Sequence, residues 1–543
     1  MQKQLVLGLL LFVCVFLFWG SNFLMSQILS QPFVENDTIL LQKCFDKAVY
    51  KRSHVINLNK AIYKVTNSLF LNNARNLIIN AQGSLFLNSS TNSFFICNNS
   101  SNITFTNFGI KYKQTPSFFV TIVSSGPFGK ILDVKSTLPF EGFIQGLMLF
   151  KKAFLRLSYP DLYLKENPAY IKHVSHDIYR ISNLPANRFK VGNTLALRPI
   201  ISGRPAFRFV NCSSIFLDNI KISESPGMGM LFDSCKGICI KSLVVSPNSD
   251  YKLSSNTDAL HFARCRGKIE IQSSVFERMG DDAINVHGTY ARLTEVISTN
   301  TIQYVTGRRD VDWPAPAAKT GDVVSIHHPT NPFGKPLVQG VVLSSQSGSE
   351  DKSLQITLDS PVSEDLPKDS VVWNQSTSPS LVVTKCKFLN NRARGILIQS
   401  SNARIEDNWF QGMTGPAIKV TCDVGRWWES GPTTNIVIRN NFISDCNDGP
   451  GSAQGAITVN ADAPGLKPIA GVHRNIEISG NRIRNVGGLG IFVSAAANVR
   501  IFQNRLSTTT PPLILVQDST GVVIQENTTE DSTTSNHPTN SSQ

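Results

Sequence analysis

Apolar and polar residues alternate along most of this chain in runs too short for helices. NLIIN, NITFTNF, SIFLDNIKI, GICIKSLVV, GKIEIQSSVF, SLVVTKCKF, NIVIRNNF, NIEISGNRI and NVRIFQNRL recur between residues 76 and 506, and period-two alternation over a few residues predicts strands. A longer register contains them: an apolar residue, five others, a position denoted z, a small residue, then apolar-x-apolar. It reads Ile222…Met228-Gly-Met-Leu-Phe232, Phe276…Asp282-Ala-Ile-Asn-Val286, Phe388…Arg394-Gly-Ile-Leu-Ile398 and Phe410…Pro416-Ala-Ile-Lys-Val420. Ile483…Leu489-Gly-Ile-Phe-Val493 and Leu506…Pro512-Leu-Ile-Leu-Val516 follow, and Asp258-Ala-Leu-His-Phe262 fits the second half. Uninterrupted copies, such as Phe388 to Phe410 and Ile483 to Leu506, lie about 22–23 residues apart.

That period predicts an all-β right-handed parallel β-helix, in which each coil buries its apolar positions against the coils ~4.8 Å above and below. Asn408, Asn440, Asn481 and Asn504 recur before the leading apolar position and are expected to stack at a turn. A leucine-rich repeat lacks its L-x-x-L-x-L frame here, and the copies are about half a propeller blade long. Two segments break the period, 113–205 and 290–378. Each carries a similar phrase, Lys190-Val-Gly-Asn-Thr-Leu-Ala-Leu197 and Lys319-Thr-Gly-Asp-Val-Val-Ser-Ile326, and each is expected to be a small β-barrel insertion. The β-helix is then 27–112, 206–289 and 379–525, and a Ser/Thr/Asn-rich tail, 526–543, is expected to be disordered.

Composition narrows the setting. The 543 residues are 41% hydrophobic and 17% charged, as in a folded protein. A net charge of +13 comes from scattered basic residues, without the blocks or signatures of a nucleic-acid binder, so no nucleic-acid partner is expected. Residues 1–26 hold a 15-residue apolar run, Leu5 to Trp19, the length of a signal-peptide core and short for a membrane span. Export is expected, with cleavage preferred to retention as a membrane anchor. Nine further cysteines carry no paired CxxC, and both stacked thiols and disulfides fit their places in the repeats. The N-x-S/T sequons, Asn36 to Asn540, would be glycosylation sites in a eukaryotic host.

The chemistry concentrates in one column. Across consecutive copies, z, z+3 and z+5 read Asp258, His261, Ala263; then Asp282, Asn285, His287; then Arg394, Leu397, Gln399. Elsewhere z is Met228, Leu489 or Pro512, so carboxylates at z are a local exception, and Asp281 adds a third. Adjacent carboxylates repel and raise at least one pKa, which calls for a metal, a cationic partner or a catalytic task. One protonated and one ionised carboxylate would suit glycoside hydrolysis, the first protonating the leaving oxygen and the second activating water. Asp-Asp after Gly280, or Asn256-Thr257-Asp258, would alone read as a turn; their coincidence in one register favours a site. Trp427, with Glu429 two residues on, fits either a core plug or a sugar platform.

The segment NTDALHFARCRGKIEIQSSVFERMGDDAINVHGTY (256–290) resembles the signature of family 110 glycoside hydrolases, the exo-acting α-1,3-galactosidases; NNRARGILIQ (390–399) and WWESGPTTNIVIRNNF (427–442) are similar too. The resemblance implies a β-helix, removal of terminal α-1,3-linked galactose with inversion, and neither metal nor other cofactor. It implies Asp258 as general acid, Asp281 and Asp282 holding the attacking water, and Arg394, Glu429, His261 and His287 on sugar hydroxyls. Asn285, Gln399 and Trp427 complete the expected substrate-binding set. Polygalacturonase-like hydrolases also carry NTD and DD, but their later Gly-His-Gly and Arg-Ile-Lys segments are missing here. A pectin-type lyase holding Ca²⁺ on the aspartates, or a non-catalytic glycan-binding surface protein, would also be compatible with a β-helix bearing this cluster.

Overall fold

The computed structural model describes residues 36–529, apart from 115–116, 138–139, 152–155, 188, 202, 250–252, 311–313, 449–453, 464, 467–468 and 509–511. The expected leader, and the expected tail beyond residue 529, lie outside the described residues.

Successive coils pair in parallel. Ser213–Ser223, Lys236–Lys241, Arg266–Gln272, Ser380–Thr384 and Ala403–Glu406 follow one another in one sheet. Phe207–Val210, Met230–Asp233, Leu260–Ala263, Ile284–Ser298, Ile396–Gln399 and Ile418–Val420 do so in a second. Like residues therefore lie over like. The rings of Phe209, Phe232 and Phe262 stack with centroids 4.8 Å apart, and Phe388 and Phe410 at 4.5 Å. One continuous apolar core runs from Leu41 to Leu506. Among the described residues its first coil has no coil beyond it, and a helix, Thr38–Tyr50, covers it: Leu41, Phe45 and Ala48 are buried, with Phe45 edge-on to Phe95 at 5.5 Å. No helix was expected in 27–112. An apolar repeat end needs a cap, however, and an amphipathic helix supplies one.

Three expectations are settled or corrected in the coils. The corner ladder runs Asn408–Asn441–Asn481–Asn504–Asn527, with each side-chain amide donating to the next side-chain oxygen at 2.9–3.1 Å. Asn440, expected in the ladder, instead adopts φ 55° in the turn beside it, because Ile443 and not Phe442 stacks on Phe410. The β-helix also runs past residue 525: Asn527 extends the ladder and Thr528–Thr529 pairs with Arg505–Thr508, so the expected disorder does not begin at 526. The nine described cysteines are all free, with Cys97 and Cys212 Sγ atoms 3.7 Å apart on adjacent coils.

The two interruptions are antiparallel. The first leaves after Ser101–Tyr112, whose pairing passes straight to Ser213–Ser223, so it is looped out between neighbouring coils. Its eight strands, Phe118–Ser125 to Thr194–Arg198, form a sheet around one apolar core, with Arg156–Tyr163 and Gly142–Ile144 at its two edges. In the second, Ile284–Ser298, Thr301–Thr306, Leu354–Leu358, Val338–Ser347, Val323–His327 and Val371–Asn374 pair in a closed ring. The two similar phrases adopt one turn: the backbone N–H of Lys190 bonds the Asn193 side chain and that of Lys319 the Asp322 side chain, with Gly192 and Gly321 at φ 86° and 88°. Ile284–Ser298 serves both parts, as a coil strand through His287 and a barrel strand from Tyr290.

Candidate active site

The site lies where that shared strand leaves the β-helix. Leu260, Ile284, Ile396 and Ile418 pair in register, so His261 lies beside Asn285, and Ala263, His287 and Gln399 form the next column. One position before each strand's entry the backbone links Ala259 N–H to Asp282 O at 3.0 Å and Ala283 N–H to Arg394 O at 3.1 Å. Asp258, Asp282 and Arg394 thus stack on three successive coils. The Asp281 side chain joins them: one oxygen from each of Asp258, Asp281 and Asp282 lies within 4.8 Å of the others. Asp281 and Arg394 keep 27% and 29% of their side chains exposed, so the cluster opens to solvent, while Asp282 is sealed at 2%.

The countercharges are unequal. Arg394 clamps Asp282, with Nη2 on Oδ2 at 2.8 Å and its backbone N–H on Oδ1 at 3.0 Å. Arg392 Nη1 reaches Asp281 Oδ1 at 3.0 Å while its Nε is held by Asp161 Oδ2 at 2.5 Å. Arg198, fully buried, donates from Nη1 to the carbonyls of Asn256 (3.2 Å) and Gly280 (2.9 Å) beneath the aspartates. Only glycine fits at 280, since a Cβ there would sit 2.2 Å from Asn256 O and 3.1 Å from Arg198 Nη1. Asp161 and Arg198 come from the first insertion.

Ionisation follows this arrangement. Burial, then the Asp281 charge, pushes the Asp258 carboxyl well above the usual carboxylate range. Burial is also the largest influence on Asp282 and raises it in spite of Arg394, with Asp281 and Asp258 adding repulsion. For Asp281 burial again pulls upward, but Arg392, Arg394 and Arg198 together outweigh it and hold the group below the ordinary value. The cluster sets Asp258, whose burial favours the protonated form, beside a partly open carboxylate, Asp281, whose arginines favour the ionised form. Its three oxygens could also share a hard cation, for which Arg392 and Arg394 would compete as countercharge.

The remaining expected residues divide. His261 Nδ1 lies 2.7 Å from Asp258 Oδ2, and its Nε2 lies 2.9 Å from His287 Nε2. Glu429 is brought in by a short antiparallel pairing of Glu429–Ser430 with Gly288 and Thr289. It sits 3.8 Å from His287 Nε2 and accepts from Gln399 Nε2 at 2.6 Å. Among the described residues Asn285 Oδ1, Gln399 Oε1 and Arg394 Nε are buried without a hydrogen-bond partner, as atoms awaiting hydroxyls would be. Trp427 stands apart. It is 38% exposed, its ring meets the guanidiniums of Arg308 (4.8 Å) and Arg426 (5.0 Å), and its backbone N–H bonds Asp423 Oδ2 at 3.0 Å. The sequence reading did not identify Arg392, Arg198, Asp161 or Tyr163, whose ring faces Arg426 and whose hydroxyl feels Asp281. Arg392 alone had a local signal, two residues before Arg394 in the same segment.

Comparison with known proteins agrees with this architecture. Residues 370–467 match the model of the right handed beta helix region, and residues 203–307 that of glycosyl hydrolases family 28. The chain is 27% identical over 462 residues to "Alpha-1,3-galactosidase A" of Shewanella woodyi, covering 80% of this chain and 74% of that one. It is 28% identical to "Alpha-1,3-galactosidase B" of Phocaeicola vulgatus (68% and 65%) and 29% identical to "Alpha-1,3-galactosidase A" of Akkermansia muciniphila (54% and 47%). It thus spans from about half to three quarters of these relatives. Among solved structures, the family 28 exopolygalacturonase of Yersinia enterocolitica is similar at 11% identity and a TM-score of 0.41, over 89% of this chain and 75% of that one. The chain is a right-handed parallel β-helix and a glycoside hydrolase.

Proposed function

We propose that this glycoside hydrolase, homologous to proteins named α-1,3-galactosidase, removes terminal α-1,3-linked galactose from glycans with inversion at the anomeric carbon. The observation that carries the reading is the three-carboxylate cluster, in which Asp258 is buried against His261 and Asp281 is held by Arg392. Asp258 gives its proton to the glycosidic oxygen as the bond to the anomeric carbon breaks. Asp281, with Asp282 beside it, orients a water and takes its proton as the water's oxygen bonds to the opposite face of that carbon. Buried, unpartnered Asn285 Oδ1, Gln399 Oε1 and Arg394 Nε would bind hydroxyls of the departing hexose, and Trp427 would meet the remainder of the glycan. The nearest carboxyl oxygens lie within 4.8 Å, inside even the ~5–5.5 Å of retaining pairs. Inversion and exo-action therefore rest on the resemblance of 256–290 to the exo-acting galactosidases.

The test is a glycan panel containing Gal-α-1,3-Gal, with the first-formed anomer read by NMR. Release of β-galactose supports the reading; initial α-galactose overturns inversion, and turnover of polygalacturonate alone overturns the substrate. A chelator-sensitive unsaturated product would point instead to a lyase. Export is proposed on the Leu5–Trp19 run, and N-terminal sequencing of the enzyme from the extracytoplasmic fraction checks it.

A further inference from the structure

Asp258 is the first member of a hydrogen-bonded chain that ends at a second carboxylate. Asp258 Oδ2 meets His261 Nδ1 at 2.7 Å, His261 Nε2 meets His287 Nε2 at 2.9 Å, and His287 Nδ1 meets the Gly288 carbonyl at 2.5 Å. Beyond His287 Nε2, at 3.8 Å, lies Glu429 Oε1, whose other oxygen is fixed by Gln399. A carbonyl can only accept, so His287 Nδ1 carries a hydrogen. With His287 neutral, its Nε2 is bare and must accept from His261 Nε2–H. His261, also neutral, then presents a bare Nδ1, and only a proton on Asp258 Oδ2 can fill that contact. The other Asp258 oxygen accepts the backbone N–H of Asp282 at 3.2 Å. With both imidazoles neutral, these hydrogen bonds place a proton on Asp258, the residue proposed to donate it.

The same contacts support a second state. If the Asp258 proton passes to His261 Nδ1 and the His261 Nε2 proton passes to His287 Nε2, Asp258 becomes a carboxylate accepting from His261, and His287 becomes an imidazolium facing Glu429. Two protons move, no heavy atom need shift, and every contact stays paired. We propose that His261 and His287, with Glu429 as the terminal countercharge, are a proton relay that recharges Asp258 after it has protonated the leaving sugar. Once Asp258 is discharged, His261 exchanges its Nε2 hydrogen with water for one on Nδ1 that faces the carboxylate. His287 Nε2 then takes a proton from water, which gives the second state, and the two-proton shift back to the first recharges Asp258. Asp281 returns to the resulting hydroxide the proton it gained from the attacking water, so the cycle balances. Burial keeps both imidazoles below their ordinary pKa, which favours the state with the proton on Asp258. The other charges facing the chain are Asp281 and Asp282 from the next coil, Arg394 from the one after, and Asp233 and Arg264 beside His261. None is altered in the variants below.

The inference rests on Asp258 being the proton donor, and one experiment separates the two ideas. His287→Asn keeps a donor near the Gly288 carbonyl but removes Nε2. His261 then turns to its Nδ1–H form, which stabilises ionised Asp258. The alkaline limb of the kcat–pH profile on Gal-α-1,3-Gal should move down by about one pH unit, and kcat should fall roughly 10- to 100-fold with KM nearly unchanged. Glu429→Gln removes the countercharge of the imidazolium state, so its limb should move up while kcat falls; it also carries the test if His287→Asn does not fold. A rise in KM with the limb unmoved in both variants would make these residues sugar-binding groups and overturn the relay. Asp258→Asn is compared in parallel on the disaccharide and on 2,4-dinitrophenyl α-galactoside, whose leaving group needs no proton. Equal loss on both would overturn Asp258 as the acid; selective loss on the disaccharide, with no limb shift in the relay variants, would overturn the relay alone.

Discussion

At one corner of the β-helix, Asn408, Asn441, Asn481, Asn504 and Asn527 stack coil upon coil. On the face entered by Leu260–Ala263, Asp258, Asp282 and Arg394 stack in the same way. The spacing is shared and the chemistry is opposite. An asparagine amide both donates and accepts, so identical copies saturate one another: from Asn441 on, each oxygen takes a side-chain and a backbone N–H from the coil before, and each amide also reaches a backbone carbonyl at 2.8–3.0 Å. A carboxylate only accepts, so stacked copies repel until a proton or a guanidinium intervenes. The first column stabilises the fold. The second holds two buried carboxyls raised above the ordinary range, together with buried polar atoms that have no partner among the described residues.

The largest expected effect comes from replacing a carboxyl of the acid cluster. Asp258→Asn and Asp281→Asn should each lower kcat/KM on the disaccharide by about 10³–10⁴-fold. The thermal melt of Asp258→Asn should match or exceed the parent, because an amide relieves the repulsion, whereas Asp281→Asn should melt lower, because it takes the carboxylate from Arg392. A loss of stability in Asp258→Asn would make this column structural like the other. Asn481→Ala is the converse. It leaves the Asn441 N–H and amide without their acceptor and the Ile438 carbonyl without a donor, at a cost of about 3 kcal/mol from buried unsatisfied groups, read by urea unfolding. Its kcat should stay within about twofold of the parent, since among the described residues the ladder's side chains bond one another and the backbone, not the acid cluster.

Stability as a function of pH sharpens the contrast further. Asp258 and Asp282 have raised folded-state values, so their contribution is full below the unfolded carboxylate value, about 3.9, and is lost as pH rises through the folded value. Asp281 is depressed, so its contribution is present above about 3.9 and is lost as pH falls through its lower folded value. Thermal midpoints should therefore decline toward alkali less steeply in Asp258→Asn than in the parent, while Asn481→Ala keeps the parental slope at a lower level. The smallest effect is expected at Trp427, which touches neither column: Trp427→Ala should raise KM roughly 3- to 10-fold with kcat nearly intact. A fall in kcat as large as that of Asp258→Asn would place the indole at the reacting bond.

What a single sequence determines here is whatever recurs with the coil. One repeat length later the chain lies directly above itself, so counting residues is enough to stack Asp258 under Asp282 and Arg394, to set His261 beside Asn285, and to bring His287 level with Gln399. The same counting fails by one residue at Asn440, because a turn can absorb a residue without disturbing the apolar pattern on either side. Tertiary structure alone decided the rest. No period relates Asp161 and Arg198 to Arg392 and Asp281, since the first insertion reaches the cluster only by folding back on the coils. Glu429 arrives at His287 through a pairing with Gly288 and Thr289 that its flanking residues do not announce. Which aspartate keeps its proton depends on burial and on the summed field of those imported charges, and both exist only once the chain has closed around them.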